Sequence, residues 1–151
     1  MHMNRWLLLA GILSACASLL HVGVIAGGPS WYRFFGAGEP MVRMAERGDP
    51  AAALITAGIA GVLALWAAYA FSGAGLIPQL PLLRTGLIAI SAIYLARGLL
   101  LGPAILLNPQ GAAGVTPFVW WSSLIVLAYG LVYAIGTWTA WSSLASDRSL
   151  G

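Results

Sequence analysis

Arg97 and His21 are the side chains of this sequence that apolar surroundings make chemically conspicuous. Arg97 lies inside the run from Leu82 to Leu107, whose only other charge is Arg84 near its start. A guanidinium cannot shed its proton to escape the cost of leaving water. It must meet a carboxylate, a set of carbonyls, a water-filled cleft or an anionic ligand. Its planar fork suits two parallel hydrogen bonds to a carboxylate or a phosphate. His21 falls on a stripe with Ser14 and Ser18 at i, i+4 and i+7, and Ser91, Tyr94 and Arg97 form another at i, i+3 and i+6. At a helical rise of about 1.5 Å per residue, His21 is roughly 24 Å from Arg5 and Arg97 roughly 20 Å from Arg84. In a hydrocarbon layer about 30 Å thick that is a common depth. Two polar stripes at one depth predict that these helices pack with those faces inward. The pocket so formed opens outward, and Tyr32, Glu39 and Arg43 belong to the loop that would cover it.

Each of these residues also has a plainer role open to it. Arg97 can snorkel to the headgroups, bond to helix-end carbonyls, or pair with Glu39 or Glu46. His21 can be a neutral helix-packing residue. Glu39, in Gly36-Ala37-Gly38-Glu39-Pro40, can be a general base, the counter-ion of Arg97, or simply the favourable charge at a helix start. Tyr129, Tyr133 and Gly136 form a stripe best read as core packing. Gly58 and Gly61 predict a close approach of their helix to a neighbour.

Several chemistries are excluded or weak. Haem would need a second axial ligand, and the other histidine, His2, stands at the opposite end of the first helix; pairing His21 with Met41 or Met44 has no spacing signature. Metal ligation by His21, Glu39 and Glu46 is a weak alternative. The chain has no nucleophile–base pair, no phosphate-cradling loop followed by Lys and no HExxH. One cysteine, Cys16, excludes an internal disulfide and a CxxC site. No cofactor is expected, and no basic stripe points to nucleic acid.

The elements that must position these residues follow from composition. Of the 151 residues, 60% are hydrophobic and 7% charged, against roughly 25% charged in soluble domains; such a chain belongs in a membrane. Four stretches are long enough to span: about 6–26, 51–71, 82–101 and 118–138. Lipid requires each to satisfy its own backbone, so they are helices, and alternation of period two is absent. The expected fold is all-α: one transmembrane domain over residues 1–151, a four-transmembrane-helix bundle. The first span follows Arg5 and contains Leu13-Ser14-Ala15-Cys16, which looks like a lipoprotein signal. Its apolar run reaches Gly27, longer than the roughly 7–15 residues of a signal core, so it reads as a retained span.

Loop 28–50 holds all the carboxylates outside the C-terminal tail. Glu39-Pro40 opens a short helix that Gly48 can close. Met41, Met44 and Ala45 share one face; Arg43 and Glu46, three apart, can pair on the other. This reads as a helix lying at the membrane interface. Asp49-Pro50 is a cap for the second span. Arg5, Arg84 and Arg148 oppose Arg33, Arg43 and Arg47 in the positive-inside comparison. The tie is resolved towards cytoplasmic termini by Arg5 on the first helix. Trp6, Trp138 and Trp141 mark one interface and Trp31, Trp120 and Trp121 the other.

The segment Gly28-Pro29-Ser30-Trp31-Tyr32-Arg33-Phe34-Phe35-Gly36-Ala37-Gly38-Glu39, on a four-span chain, resembles small bacterial inner-membrane proteins to which no activity is assigned. The resemblance implies the layout and no chemistry. The expected function is binding: a lipid headgroup, a small anionic amphiphile or a partner membrane subunit, held by Arg97, His21, Tyr94 and Ser18 beneath Tyr32, Glu39 and Arg43. The expected partners are membrane lipids, a small anionic ligand, or further copies and subunits of a membrane complex. An enzyme acting on a lipid or quinone-like substrate, with Glu39 and His21 as acid and base, is the alternative. A transporter is a third reading, disfavoured because no Asp or Glu lies within a span.

Overall fold

The computed structural model describes residues 3–100 and 117–144. Among the described residues there are five helices: α1 Arg5–Phe34, α2 Glu39–Glu46, α3 Pro50–Ala74, α4 Leu83–Leu99 and α5 Pro117–Thr139. No strand occurs among the described residues. α1, α3 and the Trp120–Thr139 part of α5 are long and apolar enough to cross a membrane. α4 is not among them: its 17 residues reach about 25 Å at 1.5 Å per residue. The expected stop at Gly102-Pro103 lies outside the described residues.

The first helix bends where an end was expected. Gly28 takes φ 67 and ψ −156, Pro29 follows, and the helix resumes to Phe34. Only glycine adopts that backbone cheaply, and proline suits the first position of a restarted helix. α2 forms as the Pro40 and Gly48 signals predict; Gly48, at φ 69, donates its N–H to the Ala45 carbonyl. Asp49 caps α3, accepting a hydrogen bond from the Ala51 N–H at 2.9 Å. The expected Arg43–Glu46 pair is replaced by two others. Arg43 lies 3.8 Å from Glu39, one turn earlier, and Arg33 donates to Glu46 at 2.7 Å. Glu four residues before a cation is the favoured order on a helix, and the bend at Gly28 leads to Arg33.

The chain divides into two compact units, Ser14–Leu65 and Met1–Leu13 with Trp66–Gly151. In the first, Val24, Tyr32, Val42 and Ala52 form a buried cluster, with Met41, Met44 and Ala45 packed on it. The tyrosine hydroxyl lies 3.1 Å from the Ala52 carbonyl and donates to Thr56 Oγ1 at 3.0 Å, which in turn donates to that carbonyl. Ser18 donates to the Ala60 carbonyl at 2.8 Å, which ties α1 to α3.

In the second unit Leu7 is fully buried. It lies where Cβ atoms on Gly73 and Gly136 would come within 3 Å of its side chain. α4 and α5 meet through Gly98 and Gly130. A Cβ on Gly98 would lie 2.8 Å from Leu127 Cα, and one on Gly130 would lie 2.8 Å from the Leu95 nitrogen. Those two glycines bring the backbones together, whereas Gly58 and Gly61 do not: neither has any group within 4 Å of an added Cβ. The expected close approach at Gly58 and Gly61 is therefore not made among the described residues. Tyr133 is buried and its hydroxyl reaches the Trp66 carbonyl at 3.0 Å. Tyr129 donates to the Leu13 carbonyl at 3.2 Å. Both are packing residues, as their stripe predicts.

Candidate functional site

The residues expected at the site divide between the two units: Ser18, His21, Tyr32, Glu39 and Arg43 in the first, Tyr94 and Arg97 in the second. Each is placed by its own helix.

In the first unit the side chains are engaged locally. His21 is half-buried on α1, and its Nδ1 lies 2.8 Å from the Ala17 carbonyl. A carbonyl only accepts, so Nδ1 carries the proton in this bond and Nε2 is the ring nitrogen left for a ligand. Ser18 is half-buried and bonded to α3. Tyr32, at 3% exposure, sits in the core of the unit with its hydroxyl held by α3. Glu39 and Arg43 are exposed and face one another on α2.

The three described carboxylates are all occupied near where they stand. Glu46 binds Arg33, Glu39 faces Arg43, and Asp49 caps α3. Among the described residues no three His, Cys, Asp or Glu side chains gather at metal-binding distance, so His21, Glu39 and Glu46 do not form a metal centre.

In the second unit Tyr94 is buried among aromatic rings. Its centroid lies 4.8 Å from that of Trp66, 5.7 Å from Tyr129 and 5.5 Å from Tyr133, the first two contacts edge-on, the orientation in which ring quadrupoles attract. Arg97 is three residues further on, exposed, in the last turn of α4. The negative end of the helix dipole favours a cation there. No ion pair or hydrogen bond engages its guanidinium among the described residues.

One cation that composition marked only as an orientation signal is held by a built contact. Arg84, in the first turn of α4, lies with its Cζ 4.0 Å from the Trp141 ring centroid and donates to the Trp141 carbonyl at 3.0 Å. A separation of 57 positions hides this pairing from any sequence spacing. Compared with protein-family models, curated proteins and solved structures, the chain matches none at a significant level.

Proposed function

We propose that this chain is a small bacterial inner-membrane protein whose work is binding, and that Arg97 is the charge its ligand or partner neutralises. The observation that carries the reading is an imbalance. Arg97 is an exposed guanidinium without a described acceptor, while Glu39, Glu46 and Asp49 are each engaged by nearer groups. On this reading its countercharge is supplied by a lipid headgroup, a small anionic amphiphile, or the acidic side chain of a partner membrane subunit. All three present the oxygens that a planar guanidinium binds best.

The same reading has α4 cross the membrane as a fourth span, with Arg84 and Arg97 extending towards opposite headgroup layers. α2 lies along the interface, Val42 and the methionines inward and the charges outward. Both termini are cytoplasmic. The acid–base enzyme alternative has less behind it, because Glu39 already faces Arg43.

Native mass spectrometry of gently extracted protein, wild type beside Arg97→Gln, tests this. The wild type should carry a lipid, a small acid or a second polypeptide that the variant loses, both keeping the same helical content by circular dichroism. An unchanged set of bound species in a folded Arg97→Gln protein would overturn the reading.

A further inference from the structure

The opposite end of α4 carries a different arrangement, within the second unit alone. Arg84 is stacked on Trp141 and anchored to its carbonyl, which fixes the plane of the guanidinium. Its Nε is buried and has no acceptor among the described residues. The contact orients the cation and leaves donors over. Beside it opens a recess of about 320 Å³, where Gln79 and Thr85 supply further polar groups and Leu82 and Leu144 apolar walls. Sites for small organic groups start near this size, at about 300 Å³.

A second recess, of about 300 Å³, lies along the α4–α5 seam, lined by Ile88, Ala92 and Leu95 on one side and Ala134, Trp138 and Trp141 on the other. Ile88, Ala92 and Leu95 follow Arg84 at i+4, i+8 and i+11, so one helical face carries the cation and then the apolar wall. Trp141 is the common element: it bears Arg84 on its ring and lines the seam. Among the described residues of this unit there are Arg5, Arg84 and Arg97 and no Asp or Glu.

We infer that these two recesses hold one anionic glycerophospholipid, its phosphate against Arg84 and one acyl chain along Ile88, Ala92 and Leu95. Charge complementarity selects the headgroup: Arg84 is an oriented cation whose buried Nε has no acceptor among the described residues, and a phosphate supplies one. The apolar recess on the same face of α4 selects a lipid over a free phosphate, which would leave it empty. The site is separate from the one proposed at Arg97, since thirteen residues of α4 set the two arginines about 20 Å apart along the axis.

The test uses the full chain in vesicles of phosphatidylcholine doped with phosphatidylglycerol or phosphatidylcholine carrying a photoreactive diazirine on an acyl chain. The phosphatidylglycerol probe should label peptides from residues 88–95 and 134–141 well above its phosphatidylcholine twin. Arg84→Gln should remove about tenfold of that preference, as loss of one charge-assisted contact implies. Ala92→Trp, which fills the seam, should lower labelling by both probes. Equal labelling of the wild type by the two probes overturns the inference whether or not any variant folds. So does labelling spread evenly onto the exposed face from Leu54 to Leu65, or displacement of the probe by soluble glycerol 3-phosphate.

Discussion

At the scale of single residues, Tyr32 and the surface ion pairs of the first unit make opposite claims on stability. The Tyr32 hydroxyl reaches the Ala52 carbonyl and Thr56 from 20 and 24 residues away, inside a buried cluster. Thr56 separately donates to the same carbonyl at 2.8 Å, so removing the phenol oxygen orphans no acceptor. Tyr32→Phe should therefore cost only about 1 kcal/mol. Tyr32→Ala, which empties the cluster, should cost about 3–5 kcal/mol. Glu46→Gln breaks the shortest ion pair of the unit, but both partners are about half exposed or more, and such pairs contribute about 0–1 kcal/mol. Thermal unfolding of detergent-solubilised protein should rank the variants Tyr32→Ala, Tyr32→Phe, Glu46→Gln. A larger loss for Glu46→Gln than for Tyr32→Phe would mean that charge rather than burial holds α2 down. Tyr32 was conspicuous in the sequence as a loop aromatic beside Arg33. Its inward direction was not legible, because that depends on the bend at Gly28, which the sequence marked as an end.

At the scale of elements, the question is which glycines bring helices together. Gly98 and Gly130 each face backbone of the opposite helix, at 2.8 Å from a built Cβ, while Gly58 and Gly61 face open space. Alanine should thus act with opposite signs at the two pairs. Gly98→Ala and Gly130→Ala force α4 and α5 apart and should each destabilise by about 1–3 kcal/mol. Gly58→Ala and Gly61→Ala meet nothing and should be neutral or stabilising by about 0.5–1 kcal/mol from helix propensity. Unfolding by denaturing detergent, followed by circular dichroism, measures both. A loss at Gly58 comparable to that at Gly130 would place a second polypeptide on that face of α3. Element existence was readable from apolar length and from Pro and Gly punctuation: residues 51–71 and 118–138 became Pro50–Ala74 and Pro117–Thr139. Which glycine met which neighbour was not. Small residues at helical spacing look the same whether they face a helix or lipid, and Gly98 beside Arg97 had no periodic partner to draw attention to it.

At the scale of the whole molecule, the proposed fourth span decides the topology. α4 reaches about 25 Å, short of a hydrocarbon layer about 30 Å thick, and has an arginine near each end. Long cationic side chains extend along their apolar stems to the headgroups, and a thin local bilayer absorbs the remaining shortfall at fractions of a kcal/mol per Å. A crossing of this length is thus affordable, and its consequence is parity. With α4 spanning, Met3 and Ser142 lie on the same side and Ala37, between the first two spans, lies on the other. With only α1, α3 and α5 spanning, Met3 and Ser142 lie on opposite sides. Single cysteines at Met3, Ala37 and Ser142 in a Cys16→Ala background, labelled with an impermeant maleimide in sealed vesicles, separate the two. Met3→Cys and Ser142→Cys should react alike and Ala37→Cys oppositely; opposite reactivity at Met3 and Ser142 would exclude α4 as a span. Charge counting could not decide this in advance, since Arg5, Arg84 and Arg148 balance Arg33, Arg43 and Arg47. Arg84, after two crossings, shares the side of Arg5 in either case, and the region after α5 joins them only if the chain returns through α4. The labelling experiment therefore also tests the orientation assigned from Arg5.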